Sequence, residues 1–227
     1  MLKGGLIVLA QRFKRRVKVS VFIERLYYFM AISIMHLISL VIGLFFLSHI
    51  GSLETSYQVI DKMYQATYRE KVRIFKTYLS NFKVNFKRTY LRSIGTTALI
   101  FIGFVDLIYF YMIDTPIHTG AFYIGIILYF IYIHTLILSS FLDTKYDLSK
   151  KELIKNSVSI IIVNIVDFLL MTIVIGIIGY ALYKFAFILI LILFPGIVLE
   201  FTYYYYKNIL AKRSITNMIF NVERRSE

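Results

Sequence analysis

The chain has 227 residues, 59% of them hydrophobic, with 26 Lys and Arg against 13 Asp and Glu and neither Cys nor Trp. Its mean hydropathy of +0.71 lies well outside the balance of a water-soluble domain. Without Cys there is no disulfide framework, thiol chemistry or Cys-based metal site, and the short hydrophilic stretches leave no room for a soluble enzyme domain. Abundant Ile, Lys, Phe and Tyr with only two Pro fit an AT-rich bacterial genome.

Residues 1–26 form a basic N-tail, with seven Lys/Arg against one acid. Leu6, Leu9, Phe13 and Val17 share one side of it, and Arg12, Lys14, Arg15, Arg16 and Lys18 crowd the rest. The apolar piece Leu6 to Ala10 is too short for a signal-peptide core, so the N-terminus is expected to be retained. Five long apolar runs follow, 27–50, 94–113, 121–142, 157–182 and 185–206. Each suffices for the ~20 residues that cross a ~30 Å hydrocarbon core as a helix. Tyr and Phe take the interfacial role of Trp, as in Tyr27, Tyr28, Tyr109, Tyr111 and the run Tyr203 to Tyr206.

Between the first two runs, residues 53–68 have helical period. Leu53, Tyr57, Ile60, Met63, Tyr64 and Thr67 fall on one stripe and Glu54, Gln58, Asp61, Lys62 and Gln65 on the other, with Ser52 as the expected N-cap. Residues 69–93 then carry eight Lys/Arg against one acid. Within them Phe75, Tyr78, Leu79, Phe82 and Phe86 line one face and Lys76, Lys83 and Lys87 another, followed by Arg88. That pattern predicts a helix in the cytoplasmic interface, its aromatics at the acyl boundary and its lysines at anionic headgroups. The same surface, Phe75, Lys76, Phe82, Lys83, Phe86, Lys87 and Arg88, would also serve to dock a cytosolic partner. Further on, Ser149 and Glu152 have capping-box spacing, so a helix is expected to start there and run into the fourth span.

Charge sets the topology. The loop 143–156 carries four Lys/Arg and the tail 207–227 five, whereas the connection 114–120 has none. Putting every basic region on the cytoplasmic side requires an even number of crossings. The expectation is therefore an all-α membrane bundle in a single domain: five clear spans, 53–68 as a short shielded sixth, and both termini cytoplasmic. The alternative keeps 53–68 on the surface beside a re-entrant first segment. Topology accounts for the basic excess, so no nucleic-acid partner is implied.

The stretch IFKTYLSNFKVNFKRT (74–89), FVDLIYFYM (104–112) and KYDLSKKELIKNSV (145–158), in that order, resembles the YesL family of small bacterial membrane proteins. The resemblance covers roughly residues 25–210. It departs where the family usually has a proline-containing start to its second helix, here GSLETS (51–56), and a proline within the fourth span, here VNIVD (163–167). What it implies is an accessory role beside carbohydrate uptake in the bacterial cytoplasmic membrane, with a sugar ABC transporter or its regulator as partner. No sugar-binding signature is visible.

Ionisable residues within spans are costly and mark the default functional site. They are Asp106 in the second run and Asp167, near Asn164, in the fourth; His134 lies in the third and His36 in the first. Facing aspartates could hold and release a proton or cation. The structural alternative is packing glue between helices. Glu200, just below Pro195-Gly196, is expected to pair with a base on an adjacent helix. There is no His cluster for a metal, no catalytic constellation and no phosphate-binding glycine loop, so neither a cofactor nor enzyme activity is expected. Two readings remain: an accessory or interaction protein, and a small homo-oligomeric transporter or channel using Asp106, Asp167, Asn164 and His134.

Overall fold

A computed structural model of the chain describes residues 23–65, 73–185 and 187–212. Most of the N-tail, residues 66–72 and the end of the C-tail lie outside the described residues. The rest is helical: α1 (Ile23–Ile42), α2 (His49–Gln65), α3 (Ile74–Met112), α4 (Pro116–Lys145), α5 (Lys150–Val163), α6 (Ile165–Phe185) and α7 (Phe187–Lys212), with one 3-10 turn at Phe45–Leu47. Four of these, α1, α3, α4 and α6, are long and apolar enough to cross a membrane.

Helices α1 and α2, α2 and α3, α3 and α4, and α6 and α7 run antiparallel, as their contacts show. Ser39 and His36 of α1 meet Ser52 and Ser56 of α2. His49, Glu54 and Gln58 of α2 meet Thr96, Arg88 and Asn85 of α3. Gly103 packs on Tyr129 and Arg92 bonds to Ser139, so α4 descends along the second half of α3. Asp167 with Tyr205, and Gly179 with Phe194, set α7 against α6.

Three boundaries differ from the sequence reading. The first apolar run does not form one helix to residue 50. The chain turns at Gly43 and at Leu44, whose φ is 45°, and α2 begins at His49. Apolarity says nothing about this turn, because both of its sides are apolar. Ser52 is therefore inside α2, its amide bonded to the Ser48 carbonyl at 2.8 Å, and it is not a cap. The stretch 73–92, expected as a separate interfacial helix, is the first half of the 39-residue α3. No Pro or Gly interrupts 74–94, and the hydroxyls of Thr89 and Thr96 bond back to the carbonyls of Asn85 and Arg92 without breaking the helix. At ~1.5 Å per residue α3 is about 58 Å long, nearly twice a hydrocarbon core.

The fourth run starts as read. Ser149 caps α5, and both capping-box bonds are present. The helix is then interrupted at Asn164, whose amide side chain donates to the Ile160 carbonyl at 2.7 Å before α6 resumes. The last run carries Pro195 inside α7. Ser33 of α1 attends that site: its hydroxyl accepts from the Gly196 amide at 2.6 Å and donates to the Leu193 carbonyl at 3.3 Å. A side chain at Gly196 would overlap the Phe29 carbonyl, so glycine is what lets α1 and α7 approach.

Candidate functional site

Polar side chains gather around α2. Ile50, Ser52, Glu54, Thr55, Ser56, Tyr57, Val59 and Ile60 are all buried, polar and apolar alike, so the first three turns of the helix are enclosed by protein on every side. Of the polar stripe read in the sequence, Glu54, Gln58 and Asp61 face neighbouring helices, while Lys62 and Gln65 are exposed. Gly51 makes the closest approach: a Cβ there would lie 3.2 Å from the backbone of Phe86 in α3.

The centre of this layer is an ion quartet. Glu54, fully buried, pairs with Arg88 at 2.7 Å and faces Arg92 at 3.5 Å; both arginines also reach Asp143 at the end of α4, at 3.6 and 3.5 Å. Arg92 donates a further bond to Ser139 at 2.6 Å. The cluster ties α2, α3 and α4 together. Removing one member of a buried cluster is costly chiefly because it strands the remaining charge. One turn away the Asn85 amide donates to Thr55 and Gln58.

On the α1 side of α2 the Tyr78 hydroxyl sits among Ser39, Ser52 and Ser56 at 3.0–3.3 Å. Ser52 is also 2.8 Å from Nδ1 of His36. On the α7 side Tyr57 bonds to Thr202 at 3.0 Å, and Asp61 is held by Tyr203 and Lys145. The polar groups of α2 thus join it to α1, α3, α4 and α7.

The four residues read as an intramembrane site are not gathered. His134 is buried and bonds through Nε2 to Thr172 of α6 at 2.9 Å, its ring against Phe130 and Phe168. Asn164 is buried and bonded to its own helix. Asp106 is exposed in an apolar crevice between α3 and α4, beside Leu99, Gly103, Leu107 and Phe110. Asp167 is exposed on α6; its backbone carbonyl, not its carboxylate, accepts from Tyr205 at 2.6 Å. The main packing of α3 is on α2 and α4, and that of α6 on α7, so the two aspartates do not form a pair.

The proposed docking surface divides. Phe75, Lys76, Lys83 and Lys87 are exposed. Phe82 and Phe86 are half-buried; Phe82 stacks on Tyr78 and packs against the buried core, with the Phe86 ring tilted beside it. Arg88 is committed to Glu54. Periodicity finds a helix face but not what lies opposite it. That is why Glu54 and Tyr78 were assigned to faces without partners, why Arg92 and Asp143 were not singled out, and why Arg88 was grouped with the outward lysines. The one available signal was the polar run His49 to Ser56 beside two arginines spaced i, i+4, a match that only the fold makes visible.

Compared with known protein families, curated proteins and solved structures, the chain finds no match in any of the three.

Proposed function

We propose that this chain is a non-enzymatic accessory protein of the bacterial cytoplasmic membrane. On this reading it crosses six times, α2 being the short shielded crossing, with both termini cytoplasmic, and it docks a membrane or cytosolic partner through the first half of α3. The antiparallel pairing of α1 with α2, α2 with α3, α3 with α4 and α6 with α7, and the enclosure of α2, support that topology. The carbohydrate-uptake context, with a sugar ABC transporter or its regulator as partner, rests on the resemblance to YesL-like proteins alone.

The observation that carries the docking role is the lysine ridge. Lys76, Lys83 and Lys87 project from one exposed face of α3, flanked by exposed Phe75, Leu79 and Leu91. They make no ion pair among the described residues, while Arg88 and Arg92 on the same helix are consumed internally. A basic ridge bordered by apolar side chains suits an acidic partner at the membrane surface or anionic headgroups. The transporter reading has less support, because Asp106 and Asp167 lie on helices that are not packed together and His134 and Asn164 already hold internal bonds.

Tagged protein isolated from its native membranes in mild detergent tests the proposal. A stoichiometric partner that is lost when Lys83 and Lys87 are both replaced by Glu is the expected result. A lone homo-oligomer whose ion or solute flux disappears in Asp106→Asn or Asp167→Asn would replace this reading with the transporter one.

A further inference from the structure

Arg25 and Phe29 of α1, Tyr64 in the last turn of α2, and Glu200, Phe201 and Tyr204 of α7 enclose a crevice of about 480 Å³. It lies where the polar ends of α1 and α2 meet α7, away from the ion quartet. Its chemistry has three parts. The Glu200 carboxylate accepts a hydrogen bond from the Tyr64 hydroxyl at 2.7 Å, which fixes it against the wall. Arg25 lines the same crevice but does not close onto Glu200 as an ion pair, and it makes no hydrogen bond among the described residues. Beside them Lys207 places its ammonium 5.8 Å from the centre of the Tyr64 ring. The remaining wall is apolar and aromatic, with Phe29, Ile197 and Phe201 leading away from the charges.

An arginine and a carboxylate that share an open aromatic crevice without pairing present a divided charge. A complementary ligand needs an anion for Arg25 and Lys207, a cationic N–H donor for Glu200 near the Tyr64 and Tyr204 rings, and an apolar tail. We propose that this crevice binds a phosphoethanolamine lipid. The phosphate lies against Arg25, with Lys207 nearby on the far side of the lining, the ammonium donates to Glu200, and an acyl chain runs along Phe29 and Ile197. Glu200 selects the headgroup: a trimethylammonium has no N–H to donate and is too bulky to approach the carboxylate closely, and a glycerol headgroup carries no positive charge. The assignment is independent of the docking role of α3.

Full-length protein in detergent, titrated with ethanolamine, choline and glycerol phospholipids of identical acyl chains, reads this out by native mass spectrometry of retained lipid. Wild type is expected to retain the ethanolamine lipid roughly tenfold better than the choline lipid, the scale of one charge-assisted hydrogen bond. Glu200→Gln should abolish that preference, and Arg25→Gln should weaken retention of all three. Equal retention of the ethanolamine and choline lipids by wild type, a measurement that needs no variant to fold, overturns the proposal. So does an undiminished preference in Glu200→Gln, or strongest retention of the glycerol lipid. Displacement by free phosphoethanolamine as effective as by the lipid would assign the crevice to a soluble zwitterion instead.

Discussion

Helices α2 and α6 are two opposite ways of being a helix in this protein. The 21-residue α6 is apolar but for Asp167, Thr172, its two tyrosines and Lys184, and Val166, Leu169, Leu170, Ile173 and Ile177 are all exposed. The 17-residue α2 carries Ser, Thr, Glu, His and Asp, and its first three turns are buried. In water this distribution would be inverted. A bilayer solvates Leu and Ile as well as a protein core does, so apolar side chains gain little by leaving lipid for the interior. Polar ones gain much, since an unsatisfied polar group in hydrocarbon costs several kcal/mol. The interior of this bundle is therefore held by what α2 carries, and α6 contributes mainly length.

The comparison is broken most severely at Glu54. Glu54→Ala strands Arg88 and Arg92 beside Asp143, and a loss of about 3 kcal/mol is expected, the lower end for a buried cluster because Arg88 is partly exposed. Ile173→Ala on the open face of α6 should cost far less. Unfolding of both variants in the same detergent gives the difference directly, and equal losses would erase the distinction.

Close approach comes next. Gly196→Ala drives a methyl into the Phe29 carbonyl and should cost about 1–3 kcal/mol. Gly176→Ala in α6, with nothing within 4 Å of the new methyl, should leave thermal stability unchanged or slightly raised. Ser52→Ala removes the hydroxyl shared by Ser39, Tyr78 and His36 and is expected to cost about 1 kcal/mol, the scale of a hydrogen bond between membrane helices.

The smallest effect is a pH dependence outside the spans. Glu152 accepts bonds from the hydroxyl and the amide of Ser149, and these hold its carboxyl below the ordinary 4.5. Its folded-state value is depressed, so the stabilisation is fully present above about pH 4.5 and is lost as pH falls through the lowered value. Wild type should therefore exceed Glu152→Gln slightly near neutrality, with the gap closing in acid; a gap that widened in acid would contradict the capping role.

The membrane character, the start of α5 and the helical period of α2 were legible in the sequence, because each is written in neighbouring residues. The end of α1 was not, since Gly43 and Leu44 turn the chain inside an apolar run. Nor was the break at Asn164. It falls within Val163 to Asp167, where an asparagine side chain bonding its own helix accompanies the break. Least legible was the ion quartet, whose members are separated by 34 residues between Glu54 and Arg88 and by 51 between Arg92 and Asp143. Periodicity assigned each residue to a face, and the tertiary fold supplied the partner.

The central claim is that polar contacts of α2, above all Glu54 with Arg88, hold the bundle together. A double-mutant cycle on Glu54→Gln and Arg88→Gln, read as unfolding free energy in one detergent, tests it most directly. A coupling of more than about 1 kcal/mol is the expected result. Additive losses would show that the two residues act separately and that the interior is held by something other than α2.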